Sequence, residues 1–245
     1  MLVQQGEERG NDVDQRLACT LAAVAGALNT AAFEAVGFFA ANMTGNVSLL
    51  SDHIAVGHFL TGGFFLAIIL TFIAGSVVST VLVNFGRRRQ IHGIYAYSIL
   101  SEAILLAVLG FADVGLPALH RAPTLVLGIS FLMGLQNAVV TRISGARVRT
   151  THVSGTATDI GIELGMLIDI MLGHEPNETA APYWAKLRLH GMSILSFLIG
   201  GVVGVLVYQR IGGLLLIATA VLLLVIAVSG IRRARGLRAR AAAAE

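Results

Sequence analysis

His152, Asp159 and Glu163 are side chains whose types and spacing could do chemistry. Asp159 and Glu163 stand four residues apart and share one helical face. His152, seven residues before Asp159, joins that face if the helix reaches so far back. The set reads as a solvated face, as a carrier of protons or another coupling ion, or as a divalent-metal site. Metal is the weakest of these, because three ligands make a small set and Ser154-Gly155 interrupts the helix beside His152. No cofactor is expected, and no nucleophile elbow, phosphate loop or dinucleotide fingerprint occurs.

His152 belongs to a polar cluster, Thr-His-Val-Ser-Gly-Thr (151–156), that follows an apolar segment, and Asp159 and Glu163 lie just beyond it. A second cluster, Met-Thr-Gly-Asn (43–46), follows another such segment. Thr44 and Ser154 are expected as N-caps, since their hydroxyls accept hydrogen bonds from first-turn amides. Gly45 and Gly155 would let a ligand approach the backbone, and Asn46 and Thr156 complete the two triplets as solute contacts. A helix that starts inside a cavity offers its amides and dipole to an anion or polar group. One that starts at an interface is merely capped. Asn29, Gln136 and Asn137 lie inside apolar segments, where they either join helices or touch solute. Glu34, also inside such a segment, either faces the bundle as an ion-coupling acid or marks the wet end of its span.

The elements that must position these groups are membrane helices. Hydrophobic residues make up 56% of the 245-residue chain and charged residues 13%, with a mean hydropathy of +0.79. That composition lies outside the range of soluble domains and fits an all-α polytopic bundle. A crossing helix needs about 20 apolar residues, and six stretches qualify, near 17–41, 62–85, 94–112, 123–141, 190–208 and 212–230. Strand-type alternation is absent, which excludes a barrel. Fifteen of the 17 Lys and Arg residues fall in the two terminal segments and the loops after the second and fourth spans, all on one side; only Arg121 and Arg210 fall on the other. This bias places both termini in the cytoplasm. Residues 1–16 and 231–245 are then cytoplasmic tails flanking a single domain at 17–230. The basic C-terminal tail suits anionic lipid and, lacking interleaved aromatics, does not suit nucleic acid. Glu7 and Glu8 stand where a cleavable leader would be basic, so none is expected. The single cysteine, Cys19, excludes an intramolecular disulfide.

The two clusters sit at matching places in an internal repeat. Residues 26–50 align with 134–160, pairing Gly26 with Gly134 and Asn29 with Asn137. After a two-residue insertion, Met43-Thr44-Gly45-Asn46 pairs with Val153-Ser154-Gly155-Thr156. Further on, FIAGSVVSTVLV (72–83) runs against FLIGGVVGVLVY (197–208). The polar matches are the ones apolar composition does not supply. Two three-span copies, about 17–112 and 123–230, enter the membrane from opposite sides and form an inverted repeat. The segments 46–60 and 156–172 are too polar to count as spans, and if both crossed, Arg87, Arg88 and Arg89 would move outside. They are expected as surface helices or as re-entrant segments facing a cavity.

The segments MTGNVSLL (43–50) and GLQNAVVTR…RTTHVSGTATDIGIELG (134–165) resemble the signature segments of the YoaK-like bacterial membrane proteins, a domain-of-unknown-function family, over about residues 17–230. The resemblance implies a six-span protein of the bacterial inner membrane and brings no substrate, cofactor or catalytic residue with it. Together with the repeat it leads to the expectation of a transporter or permease for a small polar, even anionic, solute. The triplets with Asn29, Gln136 and Asn137 would meet the solute, and Glu34, His152, Asp159 and Glu163 would couple an ion. A membrane-embedded enzyme using His152, Asp159 and Glu163 at the cytoplasmic face and a non-catalytic accessory membrane protein are the alternatives. A homodimer is compatible with so small a chain, though no residue demands one.

Overall fold

The computed structural model describes residues 11–91 and 93–242. Glu7, Glu8 and Arg9 lie outside the described residues, as do the side chains of Arg238 and Arg240. The described chain is all-helical. In order it forms α1 (Asn11–Val36), α2 (Met43–Ala55), α3 (Phe59–Arg88), α4 (Ile94–Gly115), α5 (Ala118–Ile143), α6 (Val153–Met171), α7 (Ala180–Ile211) and α8 (Leu214–Ala242). Six of these, all but α2 and α6, are long and apolar enough to cross a membrane. The protein is a multi-pass membrane protein.

Several boundaries differ from the hydropathy reading, α8 most of all, which runs to Ala242 rather than 230. The first helix starts at Asn11 rather than 17, because Asp12 and Asp14 in its first turn complement the helix dipole although they are not apolar. It stops at Val36 rather than 41, because Gly37 takes a positive φ of 75° that terminates a helix. The stretch 180–190, polar in sequence, is the first third of α7. At 32 residues α7 is about 48 Å long, more than a hydrocarbon core of about 30 Å requires.

The helices pack mainly in the pairs α1 with α7, α3 with α5, and α4 with α8, with α1 and α5 also in contact. Half or more of the apolar stretch of α1, α4 and α5 is buried, against 22% for α3 and α7. The outer helices turn rows such as Leu66, Leu70, Ile73 and Val77, or Leu195, Leu198, Val202 and Leu206, away from the protein, as lipid contact demands. Glycine sets the closest crossings. A Cβ added to Gly26 would overlap the Phe197 carbonyl, and one on Gly200 the backbone of Ala23. A Cβ on Gly134 would overlap the Phe72 carbonyl, and one on Gly75 the Phe131 carbonyl. With no hydrophobic drive between helices in lipid, such close backbone contact and hydrogen bonding hold them together. Thr30 Oγ1 donates to the Gly201 carbonyl at 2.9 Å and Ser76 Oγ to the Gly134 carbonyl at 3.0 Å, one bond at each crossing.

The short helices fold back. After Gly37 the chain returns along α1 until the Ala41 amide donates to Asn29 Oδ1 at 2.8 Å, seven residues or about 10 Å below the end of α1. From that depth α2 runs back outward against α3, with Gly62 beside Leu50, His53 and Ile54. After α5 the loop 144–152 does the same, and α6 runs back against α7. Both are re-entrant segments at opposite ends of the bundle.

Candidate functional site

Each re-entrant loop is tied to the preceding helix by the asparagine that the alignment pairs. Asn29 holds Ala41. Asn137 accepts from Thr150 Oγ1 at 3.1 Å and donates from Nδ2 to Thr151 Oγ1 at 2.7 Å and to the Met133 carbonyl at 2.9 Å. Their polar groups are thus engaged within the protein.

The caps are not the expected residues. Asn42 precedes α2, and its Oδ1 accepts from the Gly45 amide at 3.1 Å; His152 precedes α6, without a side-chain cap bond. Thr44 and Ser154 sit inside the first turns, two residues beyond the caps. Gly45 and Gly155 have a different task from the one expected: a Cβ at Gly45 would press on the Asn42 side chain at 2.5 Å, and one at Gly155 would overlap the His152 ring. The glycines therefore seat the residue that closes the helix start. Asn46 is buried, donating from Nδ2 to the Phe39 carbonyl at 3.1 Å, and Thr156 is buried with its hydroxyl on the His152 carbonyl at 2.9 Å.

A cleft of about 890 Å³ opens at the end of the bundle that carries both termini. Its walls are the start of α1, the loop after α5, the first three turns of α6, and the part of α7 from Pro182 to Ser193. Of the expected site residues it gathers His152, Gly155, Thr156, Asp159 and Glu163. Thr44, Gly45 and Asn46 belong to the other end, and Gln136 is wholly buried in α5. Four cationic side chains, Arg147, Arg149, Lys186 and Arg188, face four carboxylates, Asp12, Asp14, Asp159 and Glu163. Buried Asp14 pairs with Arg147 at 2.9 Å, fixing the start of α1 to the re-entrant loop. Buried Glu163 contacts His190 Nδ1 at 2.9 Å, fixing α6 to α7, while its second oxygen has no partner. Arg149 Nη1 lies 3.4 Å from His152 Nδ1, and Asp159 is exposed to the cleft. Among the described residues, no three His, Cys, Asp or Glu side chains gather into a metal-binding group.

The opposite end holds an aromatic cluster. Phe38 meets Phe64 and Phe65 edge-on at 5.3 and 5.4 Å, and Val126 of α5 and Met43 of α2 pack on the same cluster. Buried Asp113 at the end of α4 pairs with Arg121 of α5 and accepts from the Tyr208 hydroxyl of α7 at 3.3 Å. Glu34 is exposed here, near the end of α1, and accepts from Gln209 Nε2 of α7 at 3.0 Å.

Sequence reasoning did not find Asp14, His190, Asp113 or Glu102. Asp14 and His190 lack a signal because their partners are distant in the chain, and Asp113 because its partner Arg121, eight residues on, lies across a helix break where no periodicity applies. Glu102, fully buried in α4, offered one: an acid in the middle of an apolar span.

No curated protein and no solved structure matches the chain. Residues 17–229 match the family described as "Protein of unknown function (DUF1275)", a match that reaches from within the first crossing helix to within the sixth, and the chain belongs to that family.

Proposed function

We propose that the protein is a secondary transporter of small polar solutes that works by alternating access between two inverted halves. What carries the reading is one asymmetry. The two ends are built from corresponding parts, a helix end, a re-entrant loop and a short helix folded onto a long one, yet one end holds a cleft of about 890 Å³ and the other a cluster of phenylalanines. The paired glycine crossings and asparagine clamps support the inverted relation, which an odd number of spans per half entails. Charge bias puts the cleft on the cytoplasmic side, so this is the inward-open arrangement of a protein in the bacterial inner membrane. Arg232, Arg233 and Arg235 then meet anionic lipid.

The cleft suits a solute bearing an anionic group. The start of α6 has no side-chain cap bond, and Gly155 and Thr156 of its first turn line the cleft beside the His152 ring, so the positive end of the helix dipole is directed at the solute. Arg149, Lys186 and Arg188 add positive charge, and Asp159 offers a carboxylate to a cationic group or a coupling ion.

Single cysteines at Asn46 and Thr156 in a Cys19→Ser background test the reading, with a membrane-impermeant thiol reagent applied from either side of oriented vesicles. The expected result is labelling of position 156 from the cytoplasmic side and protection of position 46, reversing when an ion gradient is imposed. Labelling of each position from its own side that no gradient or solute alters would refute alternating access.

A further inference from the structure

Glu102 is an acid with nothing to balance it. Its side chain is fully buried in α4, and neither carboxyl oxygen has a hydrogen-bond partner. Three facts about its surroundings indicate what shares its level. The contact of Gly128 with Leu109 sets the register of α4 against α5, and seven residues from it along each antiparallel helix bring Glu102 level with Leu135 and Gln136. Seven residues is two turns, so Glu102 lies on the stripe of α4 that meets α5. The contact of Gly86 with Ile94 sets α3, and eight residues along each helix bring Glu102 level with Val78 and Ser79. Ser98 lies one turn before Glu102 on the same face.

Ser79, Ser98 and Gln136 share the condition of Glu102. All are buried, and the two hydroxyls and both ends of the Gln136 amide lack partners. Partnerless buried polar atoms each cost about 1–3 kcal/mol, and three adjacent helices bring them to one depth. Nothing nearby neutralises the acid. No ionisable residue occurs between Phe59 and Gly86 of α3, between Ala122 and Thr141 of α5, or between Leu214 and Ile231 of α8, and α4 has none other between Tyr97 and Asp113. The nearest charged residues on these helices are Arg87 and Arg142 toward one end, and Asp113 and Arg121 toward the other. An ionised carboxylate in such surroundings is prohibitively costly without a counter-charge.

We propose that Glu102, with oxygens from Ser79, Ser98 and Gln136, is an intramembrane site for one monovalent cation, a proton or a sodium ion. One carboxylate balances one positive charge, so a divalent ion would leave an excess charge in the bundle. The oxygens are hard donors, suited to a small hard cation. The site does not depend on the transporter reading, since the same groups would bind the cation in a protein that moves no solute.

The test is infrared difference spectroscopy of the purified protein, beside Glu102→Gln, through a pH series and then with sodium or choline chloride added at fixed pH. The expected result is a protonated-carboxyl band in the wild type, absent from Glu102→Gln, that disappears reversibly. Loss on raising pH, with no response to sodium, identifies a proton site; loss on adding sodium but not choline identifies a sodium site. In the sodium case, Ser79→Ala with Ser98→Ala raises the half-saturating concentration about tenfold, equivalent to about 1.4 kcal/mol. Should Glu102→Gln fail to fold, the wild type alone suffices. A hydrophobic carbodiimide, which attacks protonated carboxyls from within the bilayer, then labels Glu102 at a rate that falls with pH or sodium. A band or labelling rate indifferent to both, or identical spectra for wild type and Glu102→Gln, would overturn the proposal.

Discussion

Replacing Gly200 by alanine tests whether backbone contact between α1 and α7 holds the bundle together. The added Cβ would overlap the Ala23 carbonyl oxygen and stand 2.6 Å from both Cα and the carbonyl carbon, where ordinary contact begins at 3.4 Å, so the helices must part by at least about 0.8 Å. The obstacle is backbone and cannot rotate away. Overpacking of this kind costs about 1–3 kcal/mol. Gly191→Ala is the control in the same helix: nothing lies within 4 Å of its Cβ position, and removing a helical glycine contributes about 0.5–1 kcal/mol of stability. With about 2–4 °C per kcal/mol for a chain of this size, Gly200→Ala should melt about 2–12 °C below the wild type in detergent and Gly191→Ala slightly above it. Thermal unfolding followed by circular dichroism reads both. Equal midpoints for the two variants would refute the close-contact account of the crossing.

Gly155→Ala should destabilise by about 1–3 kcal/mol because its methyl displaces the His152 ring; His152→Ala in the same chain should restore most of the loss, and additive thermal midpoints across the four proteins would disprove the coupling. Asn137→Ala removes three hydrogen bonds and should lower stability by about 1–3 kcal/mol while opening the 144–152 loop to protease, which limited digestion measures. His190→Ala strands buried Glu163 without a partner and should cost about 3 kcal/mol by denaturant titration, more than the near-isosteric Glu163→Gln. Arg121→Ala leaves buried Asp113 with the Tyr208 hydroxyl but no counter-charge and, by loosening that end, should raise labelling of a cysteine at position 46 by an impermeant thiol reagent about 5-fold or more; unchanged labelling would show that this ion pair does not restrain that end.

Composition made the architecture legible, because six apolar stretches leave a chain few alternatives in lipid. The alignment of Met43 with Val153 was equally informative: both prove to be the first residues of their helices. The caps escaped because Asn42, Thr44 and Asn46 all have side chains suited to capping, and which one caps depends on where the backbone turns, not on residue type. The re-entrant depth escaped because Asn29 and Asn137 reach residues 12 to 14 positions ahead, a distance no periodicity reports. Glu163 was singled out for Asp159, its neighbour on the helix, whereas its contact is His190, 27 residues on and across a loop. Glu102 vanished into a window of strongly apolar residues whose mean it hardly changes.

What the two halves share and what they do not share have different physical uses. The features present twice, glycine crossings and asparagine clamps, solve a problem that both halves face, namely to hold helices and a re-entrant loop together where water cannot help. None of them requires a solute or an ion. The features present once are not shared needs of the two halves: a cleft lined by charged side chains at one end, a phenylalanine cluster at the other, and a buried acid in α4 whose counterpart helix, α8, has no ionisable residue from Leu214 to Ile231. A buried acid without a partner weakens the fold, so its presence in one half alone follows from binding rather than packing. A symmetric pair of such acids would place two charges near the bundle centre, each disfavouring the other; a single one lets one cation neutralise the whole interior. Of these single features, Glu102 is where substitution should change cation binding more than it changes the thermal midpoint. The repeated ones should do the reverse.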